Sequence, residues 1–292
     1  MKPPQMTDVN FDWMDFIEAI EAIPNGSFPG PDGIPTNMIK KAKVPIARML
    51  CFLFRTSVDK GHIPETLKEA FVIPVHKGGS KVEASEYRPI SLTSHLMKAG
   101  ERVIRKKHVN FLEFYKKMDP KQHGSRENRS TLSQLLVHYD QIIEGLENGE
   151  NIDVIYLDFK KAFDKVDHGI LLHKMKLKLG VTGKLGRWIH NFLSNRHQEV
   201  LIKGKKSRKY QLISGIPQGT VLGPFLFLIF IGDLAEGVNA DTLVYVDDSK
   251  VKKKVNNETE VESLQEDLDR IYLGRNYFWK KMKSKSKGGF FF

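Results

Sequence analysis

Apolar residues recur at helical spacing over 11–23 and again over 37–57. Between them lies Pro24-Asn25-Gly26-Ser27-Phe28-Pro29-Gly30-Pro31-Asp32-Gly33-Ile34-Pro35, too dense in turn formers for regular helix. Pro45 predicts a break or kink in the second helix. A short strand is expected over 71–75 and a polar loop over 76–85. Long amphipathic helices follow over 92–115, basic on one face, and over 131–146. The Val- and Ile-rich run 152–158 reads as a buried strand. Helices are predicted over 170–179, stopped by Gly180, and over 186–193. A hairpin of 198–202 with 209–213 follows, then a helix from about Pro224. The strands 242–248 and 250–255 make a last hairpin before a helix over 260–272. Strands and helices with antiparallel hairpins predict an α+β fold. Residues 275–292 are basic without a single acid and read as a frayed tail.

Composition adds a partner class. Lys and Arg number 46 against 35 Asp and Glu, a formal charge of +11. That surplus favours a polyanion, nucleic acid before membrane. The longest apolar run, 221–231, is too short to span a bilayer and contains Gly223 and Pro224, so it reads as a buried helix. Cys51 is the only cysteine, which excludes an intrachain disulfide and fits a reducing, intracellular setting, nucleus or cytoplasm.

Two places carry candidate chemistry. Asp158 closes the apolar strand 152–158, where a carboxylate either caps the next turn or binds a cation. Asp247 and Asp248 sit together at the apex of an apolar hairpin, where two like charges repel. Asp-Asp is common in plain turns. A strand-end aspartate combined with a hairpin Asp-Asp nevertheless supplies what a two-metal phosphoryl-transfer site requires.

The combination of blocks supports a family resemblance. Leu157-Asp158-Phe159-Lys160-Lys161-Ala162-Phe163-Asp164, then Ser214-Gly215-Ile216-Pro217-Gln218-Gly219-Thr220, then Tyr245-Val246-Asp247-Asp248 resemble motifs A, B and C of reverse transcriptases. Pro29-Gly30-Pro31-Asp32-Gly33-Ile34-Pro35, Tyr87-Arg88-Pro89-Ile90-Ser91-Leu92 and Gln122-His123-Gly124-Ser125-Arg126 narrow this to enzymes of non-LTR (LINE-type, jockey-like) retrotransposons. The resemblance implies a right-hand polymerase fold and an RNA-directed DNA polymerase that adds deoxynucleotides to a primer 3′-hydroxyl. It makes Asp158, Asp247 and Asp248 the catalytic carboxylates, holding two Mg²⁺ ions, with Mn²⁺ as the substitute. Lys77, Arg88, Phe159, Phe163, Gln218 and Gly219 become nucleotide contacts, Phe163 as the bulky ring that excludes a ribose 2′-hydroxyl. Arg126, Lys203, Lys205, Lys206 and Tyr245 become nucleic-acid contacts, although the hairpin lysines read equally well as a solvated strand edge. The implied partners are an RNA template, a DNA or RNA primer and deoxynucleoside triphosphates, with no membrane.

The resemblance divides the chain into an N-terminal helical extension over 1–60, fingers and palm over 61–272, and a degraded basic tail over 273–292. It fades after Tyr272, which implies that the thumb is largely missing. Leu67 and Val246 stand where the family usually has Trp and Ala. One rival reading is a truncated, inactive polymerase remnant that only binds nucleic acid. Another, an RNA-dependent RNA polymerase, is disfavoured by Phe163.

Overall fold

The computed structural model describes residues 4–118, 131–159, 162–245, 248–278 and 285–286. The chain divides into two compact units, one of Met1–Lys117 with Leu171–Leu226, the other of Met118–Ile170 with Phe227–Phe292.

The first unit opens with α1 (Trp13–Glu21), whose N-terminal amides would be orphaned without a cap. Asp12 accepts from the amides of Met14 at 2.8 Å and Asp15 at 3.2 Å, and the Asp15 side chain accepts from the Asp12 amide at 3.0 Å. The turn-rich block leads into α2 (Thr36–Lys41) and α3 (Lys43–Lys60). The helical break falls at Ala42, and Pro45 lies in the first turn of α3, where its missing N–H costs nothing. Gly61 ends α3 in the left-handed region, φ 63°. Helices α4 (His95–Phe114), α6 (His168–Lys174) and α7 (Gly183–Leu193) follow, α6 lying across the boundary between the units and continuing as a π-helical turn over Met175–Leu179. Phe16, Phe54, Trp188 and Phe192 form a ladder of rings in the core, and the Trp188 indole N–H donates to Ser57 Oγ at 2.9 Å.

The sheet of this unit contains β1 (Glu69–His76), β2 (Tyr87–Thr93), β4 (Arg196–Ile202), β5 (Lys205–Lys206) and β6 (Tyr210–Leu212), with β2 antiparallel and β4 parallel to β1. β2 occupies an edge, which is why it tolerates Pro89. Lys203 and Gly204, with φ 48° and 77°, form the tight two-residue turn between β4 and β5.

The second unit holds an antiparallel sheet in the order β7 (Asp241–Tyr245), β8 (Asp248–Lys254), β3 (Ile152–Asp158), β9 (Lys285–Ser286). Ile155 and Leu157 alternate onto the face covered by α9 (Glu258–Phe278), against Ala240, Val251, Leu264 and Ile271. The alternate residue Tyr156 meets His138 of α5 (Thr131–Glu147), ring centroids 6.5 Å apart. At the α9 end of the sheet Asp267 accepts from the amides of Asn239 and Ala240 and from Lys253. Burial pushes its carboxyl up, but these bonds outweigh it and hold the group below the usual carboxylate range. Helix α8 (Leu222–Ile231) is apolar on every side and buried. Among the described residues no helix is long and apolar enough to cross a membrane.

Candidate functional site

In the second unit, the ladder between β3 and β8 runs from Ile152 opposite Lys254 to Asp158 opposite Asp248. Tyr245 pairs with the same Asp248 from the other side. The backbone therefore brings Asp158 and Asp248 to one end of one sheet. Aspartates at these two positions are of the residue type that a hard cation takes as oxygen ligands, and on its other side Asp158 is paired with Lys285 of β9. Asp247 lies outside the described residues, and among those described no cluster of three metal-ligating side chains occurs. The next charged residue on β8, Lys250, sits over the Tyr156 ring at 5.6 Å. Burial lowers its ammonium pKa, and Asp248 opposes that shift. His138 is buried, with neither ring nitrogen bonded among the described residues. Burial first, then Lys250 and Lys252, depress it to about 4, so it is neutral near pH 7.

Phe163 begins a short 3-10 turn after β3 and stacks on Phe227 of α8, centroids 4.6 Å apart at 24°. It is half-buried, whereas Phe159 is buried at 4% exposure, in the core rather than at a surface.

In the first unit, Lys77 and Arg88 are exposed on β1's outgoing loop and on β2. Lys77 Nζ donates to the Ser85 carbonyl at 3.1 Å, and its amide to the Glu86 carbonyl at 2.8 Å, closing the loop between the strands. Further along β2, the Ser91 amide donates to the Gln218 carbonyl at 2.7 Å. Gly219 has φ 112°, and a Cβ there would stand 2.4 Å from the Ser91 carbonyl oxygen. Glycine is required by both conformation and contact. The turn bearing Gln218 is thus seated on the strand bearing Arg88.

The hairpin lysines are exposed, and Lys206 covers the Phe71 ring at 4.3 Å. Arg126 lies outside the described residues, and Tyr245 is placed by its backbone alone. Sequence reasoning missed Glu101 and Arg196, both buried below 2% exposure. Glu101 Oε2 accepts from the amides of Val221 at 2.7 Å and Leu222 at 2.9 Å, capping α8. The available signal was its spacing with Met97, Ile104 and His108, which puts a glutamate on the apolar face of α4.

Comparison with known proteins extends this geometry. The chain is 32% identical over 244 residues to the RNA-directed DNA polymerase from mobile element jockey of Drosophila melanogaster, covering 80% of this chain and 26% of the relative. The jockey polymerase of Drosophila funebris is 32% identical over 254 residues, 82% of this chain and 27% of the relative. The chain thus spans about a quarter of the length of these relatives. Among solved structures, an apo telomerase from Candida tropicalis truncated from its C-terminal domain has a similar fold, with a TM-score of 0.50 and 12% identity over 78% of this chain and 52% of that one. The profile described as "Reverse transcriptase (RNA-dependent DNA polymerase)" matches residues 75–285, a span running from the end of β1 through the aspartate sheet to β9. With that match over most of its length, and with Asp158 and Asp248 paired at one end of one sheet, the chain belongs to the reverse transcriptase family.

Proposed function

We propose that the chain is an RNA-directed DNA polymerase domain of a non-LTR retrotransposon, adding deoxynucleotides to a primer 3′-hydroxyl on an RNA template. The observation that carries this reading is the register that sets Asp158 against Asp248 at one end of the sheet, with Asp247 next to Asp248 in the sequence. Residues 61–272 act as fingers and palm, and the palm is the unit that holds β3, β7 and β8.

Asp158, Asp247 and Asp248 are the residues that would hold two Mg²⁺ ions. Bound there, the metal supplies the positive charge that activates a hydroxyl nucleophile and stabilises a pyrophosphate leaving group. The chain's own residues bind and orient. Arg88 offers a planar fork matched to phosphate oxygens, and Lys77 a point charge on the loop that joins β1 to β2. Gln218 and Gly219 form the backbone ledge for the incoming nucleotide. The Phe163 ring, braced on Phe227, leaves room for a 2′-hydrogen and not for a 2′-hydroxyl. Lys203, Lys205, Lys206, Arg126 and Tyr245 contact template and primer.

Primer extension on an RNA template tests the reading. Asp158→Asn and Asp247→Asn should each abolish extension, since an amide cannot replace a carboxylate's charge. Template–primer affinity should persist and weaken with salt. An Asp247→Asn protein that keeps most of the parental rate refutes the assignment. A parental chain that binds template–primer and never extends it supports the inactive-remnant reading instead.

A further inference from the structure

The turn that carries Gln218 is held at two points by elements far away in sequence. One is the seat on β2 described above. The other is Glu101, whose single oxygen Oε2 receives the amides of Val221 and of Leu222, the first residue of α8, immediately after the turn. Thr220 ties the two together: its hydroxyl donates to the Pro217 carbonyl at 2.9 Å and accepts from the Gly223 amide at 3.2 Å. A helix start needs acceptors for its free amides, and an anion there is favoured by the helix dipole. A short side chain within the turn normally does this, as Thr220 does for the Gly223 amide; here a glutamate from another helix takes the two preceding amides from inside the core.

A glutamate with no exposed surface is a costly choice for a plain cap. Burial pushes the Glu101 carboxyl up, while the two amides, the buried Arg196 and Lys98 pull it back toward the charged form. Arg196 is itself anchored, Nη1 donating to the Phe192 carbonyl at 3.1 Å and its guanidinium lying over the Phe192 ring at 4.9 Å. A fully buried carboxyl is thus committed to the residues that follow this short turn.

We propose that Glu101 is a positioning residue for nucleotide binding: from α4 it fixes the α8 N-terminus and thereby sets where the Gln218–Gly219 ledge stands. The proposal rests on the nucleotide role assigned above to that ledge. Glu101 touches no substrate, so its loss should appear in the KM for deoxynucleotides rather than in template–primer affinity.

The test compares isosteric side chains in the 292-residue chain. Removing Glu101 alone strands the Arg196 charge and risks unfolding, so both variants carry Arg196→Met. Glu101→Gln with Arg196→Met keeps one acceptor oxygen; Glu101→Met with Arg196→Met keeps the volume and removes the acceptor. Steady-state primer extension on poly(rA)·oligo(dT) with dTTP should give the glutamine variant a KM within about threefold of the parent. The methionine variant should have a KM raised on the order of tenfold or more, with unchanged template–primer Kd and a cooperative melt. Equal KM values in the two folded variants overturn the proposal. Should the parent not extend primers, the polymerase reading fails, and hydrogen exchange at the Val221 and Leu222 amides decides the clamp separately. Faster exchange in the methionine variant supports it and equal exchange overturns it.

Discussion

Gly219→Ala is the substitution with the sharpest structural consequence. The backbone there has φ 112°, outside the regions open to L-residues, and its Cβ would be 2.4 Å from the Ser91 carbonyl oxygen. The conformational strain alone is worth about 1–3 kcal/mol. The clash adds to it, because the obstacle is a strand carbonyl with neighbours on β1 and cannot swing aside. Relief requires the turn to lift by about 1 Å, from a close clash toward ordinary van der Waals distance. That movement breaks the 2.7 Å bond from the Ser91 amide to the Gln218 carbonyl, a further loss of about 0.5–1.5 kcal/mol. With the turn lifted the two losses together are about 1.5–4.5 kcal/mol and the ledge is displaced; with the turn seated, strain and clash lower the stability instead. Gly33→Ala is the control: its φ is 67° and nothing lies within 4 Å of the added carbon, so only strain of about 1 kcal/mol remains. Urea unfolding followed through tryptophan fluorescence, together with the KM for dTTP, reads both outcomes. A Gly219→Ala protein with the parental urea midpoint and the parental KM would refute the reasoning.

Other positions give independent tests. Gly100→Ala places a carbon 1.9 Å from the Phe54 ring, which is hemmed in by Phe16 and Trp188, so overpacking should cost about 1–3 kcal/mol and lower the thermal midpoint; an unchanged midpoint refutes the packing. His108 is fully buried against Phe225, and burial depresses its imidazole from 6.5 to about 3. The unfolded chain takes up a proton that the folded chain refuses, so stability falls as pH drops from about 6.5 toward 3, by about 1.4 kcal/mol per pH unit for this residue. His108→Leu should flatten the urea midpoint between about pH 4.5 and 7, and an undiminished slope would dismiss this source. Phe163→Val should lower the ratio of kcat/KM for dGTP over GTP by roughly five- to hundredfold, the equivalent of about 1–3 kcal/mol of steric exclusion. If the variant melts early and its ratio holds, the ring is core, packed on Phe227, and not a gate.

What the sequence revealed depended on whether the interaction was local. Residues 152–158 formed a strand over the expected span because an apolar, β-branched run has few other ways to be buried. The hairpin that follows was legible from β7, but its expected strands 242–248 and 250–255 are Asp241–Tyr245 and Asp248–Lys254, because the lysine-rich β8 has no apolar run to mark where it starts. β2 was not, because Pro89 argues against a strand and the apolar pattern from Leu92 runs without interruption into α4; only its edge position reconciles the proline. The parallel pairing of β1 with β4 joins Val72 to Val200, and nothing in either segment names the other. Lys285–Ser286, inside a tail expected to carry no element, pairs with the end of β3 although its composition has no strand signature. Glu101 escaped notice because charged residues on helices usually mean a solvated face.

The same distinction explains why the separate sequence blocks belong together. Gly30 of the Pro-Gly-Pro-Asp-Gly-Ile-Pro block packs directly on the corner where β2 turns into α4, a Cβ there falling 2.5 Å from the Ser94 amide. From that corner β2 runs back through Ser91, which holds the Gln218 turn, to Arg88. In the other direction α4 runs forward to Glu101, which holds the helix following that turn. Three blocks that read as independent punctuation are therefore one mechanical assembly around a single corner. A larger residue at position 30 should displace the corner, and with it both anchors of the turn. A change at Arg88 removes the proposed phosphate ligand and leaves both anchors in place. Gly30→Ala should then behave like Gly219→Ala, in stability and in the KM for dTTP together, whereas Arg88→Ala should alter the KM and leave the urea midpoint at its parental value. A Gly30→Ala protein whose turn amides exchange at parental rates would show that the corner does not transmit strain to the ledge.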